Sequence, residues 1–431
     1  MKKLSFSSLK SLSLMLAVSA TAALLSGCTA SILNEAPNTD PLQSAKPAGS
    51  IPALTTPHYF VPGTPEKDNT YTPEYQLTLL ADRDFGGGIF LVIQEEGLEN
   101  AIFPSADELT EVYADRRNRL ISQKYNVELA CISKTAEEIL ADLAKADKMG
   151  EYYADLLVVS PSLFQQLKEK KYLQALDNIP FLELESACIR QEAVTELNSG
   201  WSGTYGIWGD ALRQPTKGYA VYYDIEQAAA MGTPNFYSQV IDGTFDLASL
   251  LDAASEGMLT FDGNAADFLF ALAGINSASD EGKALPESEA HAALLAKFEE
   301  CRYTPEKGTA KDAFLKGESL FYIGELGDFA SFAQTQQKIG ILPLPKYNAE
   351  DADYPHLVDQ STLPILACPI HMNSLEGSGI MLSALNAASC DEIEEIFLQS
   401  AEPHVRDNGS ALMLPYCVGM IRFDRKLIFG E

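Results

Sequence analysis

The sequence predicts an α/β fold: an open, mostly parallel sheet flanked by helices, followed by a second region that also mixes strands and helices. Short β-rich runs alternate with amphipathic helical segments from residue 77 onward. One run, Leu156-Leu157-Val158-Val159, is apolar without a break, as a strand covered on both faces must be. No stretch beyond the first segment reaches the length of apolar sequence that a membrane-spanning helix needs.

In chain order, Leu77 to Ala81 (LTLLA) reads as the first strand, followed by a glycine turn at Asp84-Phe85-Gly86-Gly87-Gly88. Ser105-Ala106-Asp107-Glu108 has the pattern of a capping box, opening a helix that carries Leu109, Val112, Tyr113 and Leu120. Val127 to Ile132 is the next strand. A second capping box, Thr135-Ala136-Glu137-Glu138, opens a helix with Ile139, Leu140, Leu143 and Ala144 on one side. Asp155 to Ser160 is a buried strand, and Pro161-Ser162 starts a helix with Leu163 and Leu167 one turn apart. The β-α-β-α-β-α order implies parallel strands. Tyr219 to Tyr223 then opens the second region. There Thr244 reads as the cap of a helix carrying Leu247, Leu250, Leu251 and Ala254. A helix after Pro286 places Ala290, Leu294 and Phe298 on one side. A late strand, Thr362 to Cys368, leads to a helix with Ile380, Met381, Ala384, Leu385 and Ala388.

The 431 residues include 60 acidic and 31 basic side chains, a formal net charge of −29, with 46% apolar residues. That length suits two or three globular units with full cores and excludes wholesale disorder. The acidic excess repels phosphate backbones, which excludes nucleic-acid binding, and it opposes docking to anionic lipid through a basic patch.

Lys2, Lys3 and Lys10 precede a short apolar run that ends in Leu25-Ser26-Gly27-Cys28. This looks like a bacterial lipoprotein signal: a charged segment, an apolar segment too short to span comfortably, small residues for the peptidase, and a cysteine that takes the lipid. Cys28 is therefore the expected lipidation site, with acyl chains that include palmitate as the anchor. Removing residues 1–27 takes away three Lys and no acid, so the exported part carries 28 basic and 60 acidic residues, a net −32. Prolines 37, 41, 47, 52, 57, 62, 65 and 73 mark residues 28–74 as a semi-rigid spacer. Cys131, Cys188, Cys301, Cys368, Cys390 and Cys417 are widely and irregularly spaced. Their pattern supports neither a zinc site nor a disulfide framework, and buried thiols are the favoured reading over disulfides.

Chemistry is sparse. The glycine turn lacks the third glycine of a dinucleotide fingerprint and the Lys-Ser/Thr of a P-loop; it serves either a close ligand approach or a tight turn. The five His are scattered, no GxSxG occurs, and Asp351/Asp353 lack the glycine of a calcium loop. No metal and no cofactor is expected. Trp201, Tyr205, Trp208, Asp210 and Tyr219 bring both Trp of the chain near three further ring or acid side chains. Such a cluster either stacks on a sugar or other ring or fills a domain interface. Gly324-Glu325-Leu326-Gly327-Asp328 is a second acid-bearing turn, more in keeping with ordinary surface.

Taken in order, these segments resemble the extracellular solute-binding lipoproteins of ABC importers, family 1, which include many carbohydrate binders. The resemblance rests on the lipobox, Tyr125-Asn126-Val127, Ala154 to Pro161 with Leu173 to Asp177, Thr204-Tyr205-Gly206-Ile207-Trp208-Gly209-Asp210, Tyr219 to Tyr223, Gly243-Thr244-Phe245-Asp246, Phe314-Leu315-Lys316-Gly317-Glu318, and Ile339 to Pro345. It implies a two-lobe periplasmic-binding-protein-like fold of type II. Lobe 1 would comprise residues 75–213 and 366–431, lobe 2 residues 219–357, and hinge crossings residues 214–218 and 358–365. It implies a protein without enzymatic activity that closes on a sugar or oligosaccharide and passes it to ABC permease subunits. It would be a monomer, held on the extracytoplasmic face of a bacterial cell membrane only by its lipid. Ligand contacts are expected from Asp84, Gly86, Ser160, Tyr205, Trp208, Asp210, Tyr219, Glu325 and Asp328, at and beyond strand ends. Two departures stand out: Phe245 replaces the usual Trp, and the sequence given ends at Glu431, earlier than in relatives. The other class left open is a surface enzyme or a wall-glycan adhesin that reuses the fold.

Overall fold

A computed structural model describes residues 72–431, apart from 99–101, 104–110, 274–288, 333–334, 352, 391, 402–403, 420, 422 and 430–431. The signal segment, Cys28, most of the spacer, the Ser105 capping box and Pro286 lie outside the described residues.

The first element differs from expectation. Pro73–Leu79 forms a short helix, α1, because Pro73 sits at its first position and the Thr72 side chain caps it by accepting from Tyr75 N at 3.3 Å. Leu77 is buried while Leu79 is exposed, a helical rather than an alternating pattern. The glycine turn therefore precedes the first strand instead of following one. Gly86 and Gly87, at φ 65° and 75°, turn the chain into β1 (Gly88–Glu95). Helix α2 (Glu111–Tyr125) leads to β2 (Val127–Lys134), which pairs with β1 in parallel along its whole length. Helix α3 (Ala136–Met149) starts at the predicted Thr135/Glu138 capping box and ends at Gly150, at φ 65°. It buries Ile139, Leu143 and Ala146. Strand β3 (Leu156–Val159) is buried at every position and parallel to β1. Ser160 caps α4 (Pro161–Glu169), accepting from Leu163 N, and buries Leu163 and Leu167 as expected. Helix α5 (Gln191–Asn198) and strand β4 (Gly206–Ile207) complete this part.

The second sheet begins with β5 (Tyr219–Asp224), followed by α6 (Ile225–Met231), α7 (Phe236–Ile241) and α8 (Leu247–Ala254). Asp246, not Thr244, caps α8: its carboxylate accepts from Ser249 N at 2.8 Å, while the Thr244 hydroxyl donates to Gln239 O at the end of α7. Leu247, Leu250, Leu251 and Ala254 are buried as the period requires, and Phe245 is buried beside them. Next come β6 (Leu259–Thr260), α9 (Ala265–Ala273), α10 (Glu289–Cys301), α11 (Ala310–Leu315), β7 (Phe321–Glu325), α12 (Phe329–Phe332) and β8 (Ile339–Leu342). On α10 the inward stripe is His291, Phe298 and Cys301 with Leu294 and Leu295 partly buried; Ala290 faces solvent. Strand β9 (Ile365–Ala367), shorter than the predicted Thr362–Cys368, and α13 (Leu375–Ala387) return to the first sheet. Helices α14 (Glu392–Ala401), α15 (Asn408–Cys417) and α16 (Arg425–Phe429) end the chain.

Strand order is β2-β1-β3-β9-β4 in one sheet and β6-β7-β5-β8 in the other. Each sheet has one reversed strand: β9 runs antiparallel to β3 and β4, and β5 runs antiparallel to β7 and β8. In each case the reversed strand is the one entered directly from the other lobe. A separate hydrophobic core covers each sheet. The C-terminal stretch, expected wholly in lobe 1, is divided. Phe397 and Ala401 of α14 and Met413, Leu414 and Cys417 of α15 belong to the second core, whereas Phe423 and Ile428 return to the first. Among the described residues the chain thus passes between the cores four times rather than two. No described helix is long and apolar enough to cross a membrane.

Buried polar groups lace these passages. Arg213, on the first, forms an ion pair with Glu394 of α14 and donates to Gly419 O on the fourth at 2.8 Å. His356, on the second, bonds Cys417 O through Nδ1 at 2.8 Å, and its ring lies where a Cβ on Gly218 would stand, 2.0 Å away. Gly218 is thus required for close approach rather than for its backbone angle. Cutting one half of the ion pair, as in Arg213→Met or Glu394→Leu, should cost about 3 to 5 kcal/mol, and the double variant should cost less than the sum of the two. Urea unfolding of the four proteins measures both. Burial, reinforced by the Arg213 charge, holds the His356 imidazole down at about 4 against 6.5. A lowered imidazole value means that the unfolded chain takes up the proton first. His356 therefore contributes its full stability above pH 7 and loses about 3 kcal/mol as the pH falls from 6.5 to 4. Unfolding midpoints between pH 7.5 and 4 should flatten over that window in His356→Gln.

Candidate functional site: the cleft between the lobes

The C-terminal ends of β1, β3 and β7 meet the first two crossings around a cavity of about 420 Å³. Glu95 is the last residue of β1, and its Oε2 accepts from Ser160 N at 2.7 Å, so the two strand ends of lobe 1 are fixed to each other. Glu96 and Gly97 continue that wall. Lobe 2 contributes Glu325, the last residue of β7, whose carbonyl accepts from Tyr222 OH at 2.8 Å. From the first crossing come Gln214 and Lys217, with Lys217 Nζ 3.5 Å from Glu325 Oε2. The second crossing supplies Asp359, Ser361 and Thr362. Asp359 caps a short turn by accepting from Ser361 N and Oγ at 3.0 and 2.7 Å.

The charge of the wall is lopsided. Four carboxylates (Glu95, Glu96, Glu325 and Asp359) face one ammonium group, Lys217. Two donors stand unmatched: Trp208 Nε1 and Gln214 Nε2 are buried with no hydrogen-bond acceptor. Both residues line the cavity, and a buried donor left unpaired costs about 1 to 3 kcal/mol. A larger, more open hollow of about 780 Å³ adjoins the cleft and shares Val358, Asp359 and Ser361 with it. Tyr219 and Phe261 stand edge to face on its wall, 6.2 Å apart. Burial, with Asp359 and Glu325 nearby, pushes the Tyr219 phenol up to about 12, so it is a neutral O–H group at physiological pH.

Of the residues expected to touch a ligand, the structure brings Ser160, Trp208 and Glu325 into the cleft and Tyr219 into the adjoining hollow. Trp208, however, is only 2% exposed and packs on Phe423 with ring centroids 5.1 Å apart. It is a wall of the cleft and part of the first core, not an open stacking face. Asp84 and Gly86 sit at the opposite end of β1, about 23 Å from Glu95 at the usual strand rise. There Asp84 accepts from Gly86 N and Asn126 Nδ2, both at 2.7 Å, which holds its carboxyl below the usual range. The cause of that misplacement is the first element: with a helix at Pro73–Leu79, the glycine turn lies before a strand and points away from the ligand end. Tyr205 packs at right angles to Trp201 under the Lys168 ammonium, which lies 3.1 Å from its ring centre. Asp328 is held by Lys311 and by Tyr322 OH, each at 2.6 Å. Asp210 is buried and paired with Arg190 at 2.6 Å; burial raises its carboxyl above the ordinary range against the pull of Arg190 and Arg213. None of these three lines the cleft.

Glu95, Glu96, Gln214, Lys217, Asp359 and Ser361 were not anticipated as ligand contacts. The signal for Glu95 was present, since Glu95-Glu96-Gly97 ends the apolar run Phe90 to Ile93 as an acidic strand terminus. Gln214, Lys217, Asp359 and Ser361 fall inside or beside the two crossings that the sequence did indicate.

No protein-family model matches the sequence, and no curated protein matches it. Solved structures of similar shape include the GacH receptor of Streptomyces glaucescens GLA.O, described with acarbose (13% identity, 80% of this chain and 89% of that chain, TM-score 0.48). Others are the uncharacterized protein lmo0859 of Listeria monocytogenes EGD-e (12%, 79% and 90%, 0.49) and the galacto-N-biose-/lacto-N-biose I-binding protein of Bifidobacterium longum (14%, 78% and 84%, 0.47). At that distance the likeness says nothing of what this chain binds. Trp208→Ala should lower stability by about 3 to 5 kcal/mol, as loss of a buried indole does, and Trp208→Phe by much less. Chemical denaturation without ligand reads the difference.

Proposed function

We propose that the chain is a solute-binding lipoprotein of an ABC importer, of the family 1 type, that closes its two lobes on a sugar or oligosaccharide. One observation carries this reading: the cavity where the strand ends of both sheets meet two chain crossings. A ligand held there touches both lobes at once, and such contacts exist only when the lobes are together. Binding then shifts the population toward the closed form. The chemistry of the wall suits a polyhydroxylated solute. Each hydroxyl can donate to Glu95, Glu96, Glu325 or Asp359 and accept from Lys217 or a serine hydroxyl, so an uncharged sugar meets both hydrogen-bonding senses of the wall. The lipobox supports an anchor at Cys28 on the outer face of a bacterial membrane, with the spacer holding the lobes clear of it and a permease as the receiving partner. The protein acts as a monomer and turns nothing over.

Thermal-shift screening against monosaccharides, oligosaccharides, peptides and polyamines tests the ligand class. The expected outcome is a reproducible shift with a sugar, a smaller radius of gyration in solution scattering on binding, and unchanged sugar after prolonged incubation. Glu325→Gln and Lys217→Met should each weaken that binding about tenfold or more, since each removes a charged hydrogen-bonding group. Released product would overturn the transport reading, and a shift with polyamines alone would move the ligand class from sugars to cations.

A further inference from the structure

Cys188, Asp210 and Cys390 are far apart in the chain, yet their two sulfurs and a carboxylate oxygen lie within 4.8 Å of one another. The backbone makes this meeting firm. Residues 188–190 run beside 208–210: Asp210 N donates to Cys188 O at 2.9 Å and Arg190 N to Trp208 O at 3.0 Å. Gly209 is needed between them, because a Cβ there would stand 2.2 Å from Asn386 Oδ1 and 2.6 Å from Cys188 O. The same Asn386 oxygen accepts from Ala211 N at 3.3 Å, which seats α13 on this strand pair. Cys390, whose N–H donates to Ala387 O at 3.3 Å, follows the end of α13.

Within that frame Asp210 is 1% exposed. Its Oδ1 takes the Arg190 guanidinium, its Oδ2 is buried, and the Cys390 side chain lies within hydrogen-bonding reach of the carboxylate. A carboxylate taken this far from water needs strong partners, and with two thiol sulfurs beside it the three side chains form a compact donor set. We propose that Cys188, Cys390 and Asp210 bind a borderline-soft divalent cation, of which zinc is the type, through two thiolate sulfurs and one carboxylate oxygen. The site lies outside the ligand cleft. Two sulfurs and an oxygen are a donor set that zinc accepts, with a fourth position for water or a backbone oxygen. Charge balances: the dication displaces two thiol protons to solvent, and the complex of one cation, two thiolates and one carboxylate carries a single negative charge opposite Arg190. A disulfide between the two cysteines would leave the carboxylate out, whereas the cation takes all three side chains. Its role is structural, joining the end of α13 to Asp210, a few residues before the first crossing.

The test uses the full chain carrying Cys28→Ala, reduced and kept in a mild non-ionic detergent, with cobalt(II) as the probe. The expected result is one cobalt per chain with near-ultraviolet sulfur-to-cobalt charge-transfer absorption, displaced by zinc, and a melting temperature that rises with zinc concentration. Cys390→Ser, at a half-buried position, should lose the charge-transfer absorption, whereas Cys131→Ser should keep it. If Cys188→Ser or Asp210→Asn fails to fold, the spectrum of the parent protein still decides. Absence of the absorption, its survival in Cys390→Ser, or a Cys188–Cys390 disulfide in protein isolated without reductant would each overturn the proposal.

Discussion

The ion pair between Arg213 and Glu394 joins the first passage between the lobes to a helix that packs on the second core, and it does so almost out of reach of water. Two charges removed from solvent gain little net free energy from each other, because desolvation offsets their attraction. Their effect is on geometry: each becomes a large penalty if the other moves away. Arg213 reaches the fourth passage through Gly419, and the neutral His356 lies against Gly218 on the first and Cys417 on the last. These contacts bind the first, second and fourth passages into one junction.

That junction also explains where the cleft lies. Because β5 and β9 enter their sheets from the crossings and run against their neighbours, both start at the same ends where β1, β3 and β7 finish. The residues that connect the lobes are then unavoidably residues of the cleft wall. Lys217 and Asp359 belong to the passages and also face the cavity, and Lys217 reaches across to Glu325 of lobe 2. The acid-rich lining is set by strand termini, where side chains at the end of a sheet are free of its covering helices.

Much of this was legible in the sequence wherever a periodic apolar pattern coincided with a capping group. The Thr135 capping box, the unbroken Leu156–Val159 run and the four-residue face of α8 each admit one structure, and each formed as read. The segment Leu77–Ala81 did not: LTLL fits a strand or a helix, and Thr72-Pro73, outside that apolar run, tips it to a helix. That one exchange moved Asp84 and Gly86 from the cleft end of β1 to its far end. Trp208 was legible as a residue of the cleft region, but how deeply its ring is covered depends on Phe423, more than two hundred residues later, and no local pattern carries that. The same holds for Cys188, Asp210 and Cys390, whose spacing hides a meeting that only the fold creates.

The division of the C-terminal stretch bears on how the molecule acquires its structure. Met413, Leu414 and Cys417 complete the second core, and Phe423 and Ile428 complete the first. Each lobe's interior is therefore completed by residues of this late stretch, through contacts that reach back from about 70 residues, as between Ser410 and Ile341, to more than 200, as between Phe423 and Trp208. Such high contact order makes for slow, late folding.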